Sequence, residues 1–183
     1  MEKTALNIDI KEEQKKAHKL ITEQGLRVLV CAGTGCVANG SLNVIEKFKE
    51  LGADVSVLTD YDKMTIVPTG CHGFCEQGVL VIIPDRHVTY VKVKEKDVEE
   101  IYESHIKNNK PVERLLYTDP KTHEHVHKNE EINFYAKQTR TALANCGHIN
   151  AECLEEAIAV RGYEALANIL EENNPDAVID TIE

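Results

Sequence analysis

The chain has 183 residues, 42% hydrophobic and 28% charged, with a formal net charge of −10. That length allows one domain with an appendage or two small domains, and the acidic balance argues against a nucleic-acid or anionic-membrane surface. No apolar run approaches 18 residues and residues 1–16 lack an apolar signal region, so neither a membrane span nor a secretory signal is expected. Six cysteines without such a signal predict a reducing, cytoplasmic location, where clustered cysteines more often bind metal or do redox chemistry than form structural disulfides.

Residues 10–23 read as a charged surface helix, and 27–31 (RVLVC) as a short apolar strand ending on the first cysteine. A glycine-rich loop follows, and Ser41 is placed to cap a helix to about residue 51, with Val44, Ile45, Phe48 and Leu51 on one face and Gly52 as its stop. Residues 54–59 (DVSVLT) form the next strand, making a βαβ unit with parallel strands. Residues 64–68 lead into a second loop, 70–78 (GCHGFCEQG). Residues 79–83 and 87–93 then make a hairpin around Pro84, Asp85 and Arg86. A helix over 96–107 carries Val98, Ile101, Tyr102 and Ile106 on one face. This order predicts an α/β domain: a mixed sheet with flanking helices, in a topology that fits the thioredoxin-like fold.

Composition changes near residue 108. Residues 108–131 are polar, contain two prolines and lack periodicity, so they are read as a linker. A small all-helical segment follows. Asn133 is the expected cap of a helix stopping at Gly147, Asn150 of one stopping at Gly162, and a third runs from Tyr163 to about Glu172. The expected organisation is therefore an N-terminal helix over 1–25, an α/β domain over 26–107, a linker over 108–131 and a helical part over 132–183.

The chemistry concentrates in two loops. Cys31 and Cys36 stand as C-x4-C, and Cys71 and Cys75 as C-x3-C, each after a strand and among glycines. Two such pairs can supply the four thiolates of a [2Fe–2S] cluster. Gly33, Gly35, Gly70, Gly73 and Gly78 permit close backbone approach, and amides turned toward the sulfurs would stabilise the reduced cluster. The loops hold no acid/base pair and no nucleophile beyond the cysteines, so no catalytic residue is assigned. Other readings stay open on spacing alone. A four-cysteine zinc site tolerates these loops, although zinc ribbons usually separate their pairs by about 15–20 residues. A dithiol enzyme would want C-x-x-C, which is absent. A [4Fe–4S] cluster usually uses C-x2-C-x2-C. Unlinked buried cysteines are the bland alternative.

Other residues invite a second site. Cys146 and Cys153 read as small apolar side chains between helices. His123, His125 and His127 alternate as a zinc or nickel face would, but among Lys and Glu they read as a solvated arm. His72, between two cysteines, resembles a Rieske ligand only until the full cysteine set is counted.

Residues 26–107 resemble the thioredoxin-like [2Fe–2S] ferredoxins, which carry C-x4-C and C-x3-C in these positions. The resemblance implies Cys31, Cys36, Cys71 and Cys75 as the cluster ligands. Residues 133–166, with Phe134-Tyr135, Asn145-Cys146-Gly147 and Gly162-Tyr163, resemble the start of the flavin-bearing, NADH-oxidising subunit of respiratory complex I and its relatives. Arg161 stands where those relatives often have Gly. In NAD(P)-linked and electron-bifurcating [FeFe]-hydrogenases that subunit carries a ferredoxin-like domain at its N-terminus. The resemblance thus implies a one-electron relay serving other subunits of a hydrogenase or NADH dehydrogenase complex. The family's FMN site, NAD(H) site and [4Fe–4S] motif would follow residue 183, so the chain is expected to be an N-terminal fragment. A zinc-stabilised module docking the parent subunit to its partners is the alternative from another class.

Overall fold

The computed structural model describes residues 9–23, 25–52 and 64–183. They fall into two compact units, one of Gln24–Ala151 and one of Met1–Glu23 with Glu152–Glu183.

The larger unit is built on a sheet of order β2-β1-β3-β4. Strand β1 (Leu26–Cys31) is buried at all six residues, Arg27 included, as expected of a mostly apolar strand covered on both faces. It pairs in parallel with β2 (Met64–Thr69), from Leu26 opposite Met64 to Cys31 opposite Thr69. Parallel strands release their following loops at the same end of the sheet. That register alone brings the two cysteine loops together. The parallel partner expected over 54–59 lies outside the described residues. The lead-in expected over 64–68 is itself this strand, with Pro68 in it. Here β2 stands at the end of the described sheet, where proline is tolerated.

Between these strands lie α2 (Thr34–Ala38), carrying Cys36, and α3 (Ser41–Gly52), which buries Val44, Ile45 and Phe48 against the sheet as its periodicity predicts. Strand β3 (Val81–Ile83) runs antiparallel to β1 and to β4 (Val88–Tyr90), forming the expected hairpin around 84–86. The next helix opens as α4 (Val98–Glu100) and continues in π-helical form over Ile101–Lys107; Val98, Ile101, Tyr102 and Ile106 are buried. At its centre Tyr90 Oη lies 2.7 Å from His105 Nδ1 and accepts from the Val112 amide at 3.0 Å.

The stretch 108–131 is not a free linker. Val112, Leu115, Leu116 and Tyr117 are buried, and the short β5 (Tyr117–Thr118) and β6 (His125–Val126) pair with each other. The polar residues around these anchors masked them in the composition. Past buried Ile132, the expected helix to Gly147 is only α5 (Asn133–Ala136), followed by turns. Asn133 does not cap it; its amide donates to Asp119 Oδ2 at 2.7 Å, and Ile132 holds the cap position.

The smaller unit packs α1 (Ile10–Thr22), whose Asp9 cap accepts from the Lys11 and Glu12 amides, with α6 (Leu154–Ala159) and α7 (Glu164–Glu172). Cys153, not Asn150, precedes α6, so this cysteine stands at a helix start rather than inside a helix. Arg161 and Tyr163 both take left-handed backbone, at φ 73° and 64°. The final residues form α8 (Pro175–Ile182), with the Asn174 side chain accepting from the Ala177 amide.

Candidate metal centre

Cys31 ends the central strand and is buried. Cys36, on α2, is also buried, whereas Cys71 and Cys75 are exposed on the second loop. The four thiols form a string. Cys31 interacts with both Cys36 and Cys71, and the Cys71 and Cys75 sulfurs are 3.9 Å apart. Among the described residues no three His, Cys, Asp or Glu side chains surround one single-ion point.

The electrostatics of the string follow from contact and burial. The Cys36 thiol hydrogen-bonds to Cys31 and lowers its pKa to about 6 against the opposing effect of burial; the His72 and Gly33 amides and the Cys71 thiol add to the lowering. Cys36 is pushed upward as the partner that keeps the shared proton, and burial acts in the same direction. Cys75 is raised, chiefly by its hydrogen bond to Cys71. The Gly73 amide donates to Cys71 Sγ at 3.3 Å. Thiolates in reach of backbone N–H groups are the donor set an iron–sulfur cluster uses.

The glycines decide whether such a cluster fits. A Cβ on Gly33 would lie 2.8 Å from Cys71 Cβ, and one on Gly78 2.7 Å from Cys36 Sγ. Any side chain at either position would fill the space between the cysteine loops. Gly73 is used differently, holding φ 83°. The residues present therefore fit a [2Fe–2S] cluster in donor type, in number and in clearance.

His72 is buried, with Nε2 3.3 Å from the Thr69 hydroxyl. Burial lowers its pKa to about 4, helped by the charges of His148 and Arg140. Gly147, at φ 89°, packs so closely on this ring that a Cβ there would overlap it. Cys146 lies against Gly70, and Cys153 donates to Glu155 Oε2 at 3.3 Å. His125 sits on β6 beside Thr118, and His123 and His127 are exposed.

Sequence reasoning missed the wall beside the second loop. Phe74 stacks on Phe134, with centroids 4.4 Å apart and planes 6° from parallel. Tyr135 meets both rings edge-on, and Ile132, Phe134, Tyr135 and Tyr117 pack in one apolar cluster with Cys31 and Cys36. The run Ile132-Asn133-Phe134-Tyr135 carried the signal, but it was read as the start of a separate helical part. Arg140 Nη2 reaches the Cys71 carbonyl at 3.4 Å.

The family model of thioredoxin-like [2Fe–2S] ferredoxins matches residues 18–105. A [2Fe–2S] ferredoxin of Aquifex aeolicus (strain VF5) is 37% identical over 89 residues, covering 47% of this chain and 76% of that protein. The solved wild-type thioredoxin-like [2Fe–2S] ferredoxin from Aquifex aeolicus is 33% identical, with a TM-score of 0.46 over 51% of this chain and 97% of that one. The NADP-reducing hydrogenase subunit HndC of Solidesulfovibrio fructosivorans is 46% identical over 46 residues, which are 25% of this chain but 9% of that subunit. Identity sustained over three quarters of a known ferredoxin settles the family: this chain belongs to the thioredoxin-like [2Fe–2S] ferredoxins.

Proposed function

We propose that Cys31, Cys36, Cys71 and Cys75 hold the [2Fe–2S] cluster, and that this electron-transfer domain serves a NAD(P)H dehydrogenase or NAD(P)-linked hydrogenase. The observation that carries the ligand assignment is steric. Glycine is required at Gly33 and Gly78 because the facing Cys71 and Cys36 leave no room for a side chain. The cluster supplies a one-electron couple when bound. The chain's own residues do the rest. Buried Cys31 and Cys36 anchor one side to the sheet, and the Gly33, His72 and Gly73 amides direct donors at the sulfurs. The exposed Cys71 and Cys75 leave the other side open to a partner.

The short match to the hydrogenase subunit HndC, with the likeness of 133–166 to a flavin-bearing NADH-oxidising subunit, supports the larger role. In it the domain passes single electrons between a flavin or neighbouring cluster and a partner protein in a cytoplasmic, multisubunit enzyme. Among the described residues no helix is long and apolar enough to cross a membrane.

Anaerobic preparation tests the assignment. The protein should carry two irons and two sulfides per chain and give an S = 1/2 signal on reduction. One zinc per chain with no sulfide would sink it. Pull-down with subunits of a hydrogenase or NADH dehydrogenase, scored by reduction of the cluster from NAD(P)H, tests the larger role.

A further inference from the structure

Tyr135 lies 30 residues beyond the end of the family match at residue 105, yet it is part of the cluster's wall. Its ring stands edge-on to Phe74, the neighbour of Cys75, at 5.6 Å and to Phe134 at 5.1 Å. It packs in the same apolar cluster as Cys31 and Cys36. Its hydroxyl is fully buried and finds no hydrogen-bond partner among the described residues. A buried phenol O–H normally has a partner, because leaving it unpaired costs about 1–3 kcal/mol. Burial raises the pKa of this phenol; Arg140 opposes the shift, and the nearby Cys31, Cys71 and Cys36 charges reinforce it. The same residues that press on the phenol electrostatically are the thiols of the site.

We propose that the Tyr135 hydroxyl donates a hydrogen bond to a sulfur of the occupied [2Fe–2S] site and thereby raises its reduction potential. The inference rests on the four-cysteine assignment above. It extends that site beyond the ferredoxin domain. A donor to sulfur stabilises the reduced cluster, which carries the extra negative charge, more than the oxidised one. The segment after the family match is then part of the redox centre, with the aromatic stack of Phe74 and Phe134 fixing the phenol in place.

The test compares wild type, Tyr135→Phe and Tyr117→Phe by EPR-monitored redox titration, with iron and sulfide counted in each. Tyr117 packs against the same Phe74 with its ring tilted by 56°, but its hydroxyl is under the charges of Asp119 and Glu76 rather than those of the cysteines. Tyr135→Phe should keep its cluster and shift the one-electron equilibrium about tenfold toward the oxidised form, about 59 mV more negative. Tyr117→Phe should leave the potential unchanged. Without its cluster, Tyr135→Phe should melt no lower than cluster-free wild type, because the variant removes an unpaired hydroxyl. Replacing Tyr135 by 3-fluorotyrosine makes a stronger donor in the same ring and should move the potential positive. Equal potentials in wild type, Tyr135→Phe and the fluorotyrosine protein overturn the proposal. Absence of iron and sulfide from wild type overturns the underlying site assignment instead. If Tyr135→Phe loses its cluster, the fluorotyrosine protein decides by the direction of its shift.

Discussion

Gly33→Ala and Gly35→Ala place the same methyl group in the same loop with opposite expected results. Gly33 has φ −63° and ψ 154°, which any residue adopts, so alanine meets no backbone penalty there. The cost is contact alone. The new Cβ would stand 2.8 Å from Cys71 Cβ, where carbon atoms normally rest at about 3.5–4.0 Å. The cysteine loops must then part by about 1 Å, which costs about 1–3 kcal/mol as overpacking and exceeds the roughly 0.5 Å tolerance of an organised site. Charged against the cluster-bound state, that cost weakens iron and sulfide retention about 5- to 150-fold. At Gly35 the Cβ lies 3.7 Å from Cys75 Cβ and 3.8 Å from its sulfur, ordinary contacts, and the position is inside α2. Alanine there gains up to about 1 kcal/mol of helix propensity. Both proteins are to be purified anaerobically, assayed for iron and sulfide per chain, and melted with and without cluster. Gly33→Ala should be depleted of cluster and Gly35→Ala fully loaded. Equal loading of the two would refute the claim that the Gly33–Cys71 clearance is what admits the cluster.

The cysteines should separate sharply: Cys71→Ala abolishes or cripples the visible spectrum, whereas Cys146→Ala, which removes a sulfur lying against Gly70, leaves it intact at a cost of about 1–2 kcal/mol. Loss of the spectrum in Cys146→Ala would show the ligands wrongly assigned. His105 makes the larger unit acid-sensitive. Burial, with the charges of Arg86 and His127, holds its pKa at about 4, below the usual 6.5, so the unfolded chain takes the proton first as pH falls. Its contribution is complete above about pH 6.5 and is lost between there and pH 4, to a ceiling of about 3 kcal/mol; urea midpoints at pH 7.5 and 5 should therefore differ less in His105→Phe than in wild type. Arg161→Gly should stabilise the smaller unit by about 0.5–1 kcal/mol, because it relieves a left-handed arginine at φ 73° and loses only an exposed ion pair to Glu164; a lower melting temperature would contradict this.

The elements that organise the site were legible because their signals are local. The apolar run ending at Cys31, the Ser41–Gly52 amphipathic helix and the hairpin at Pro84 were readable residue by residue. The four cysteines announced themselves by spacing, and the parallel register supplies what spacing could not, the meeting of the two loops. The failures share one cause. Val112, Leu115, Leu116 and Ile132 are single anchors among polar neighbours, and their burial is decided by the distant surface they land on. The expected helix from Asn133 to Gly147 failed in the same way. Its Phe134 is committed to Phe74, and Gly147 to the face of His72. Arg161 differs: it stands where relatives often have Gly, and at φ 73° it takes a left-handed backbone that glycine adopts at no steric cost.

The outer rim of β4 is already taken. The Thr89 amide donates to the His127 carbonyl at 3.1 Å and the Val91 amide to the Leu115 carbonyl at 2.8 Å, while Tyr90 and Leu116 form an antiparallel bridge. A sheet with a bare rim is a template on which another chain can add a strand. Cut back to the ferredoxin match, the domain would expose a flat row of donors flanked by Val88, Tyr90 and Val91, and would be prone to recruit a second copy. Residues 111–127 thus cover a rim that would otherwise stand open to strand addition. Any shortened version of this domain that is to keep the rim closed has to be drawn around them.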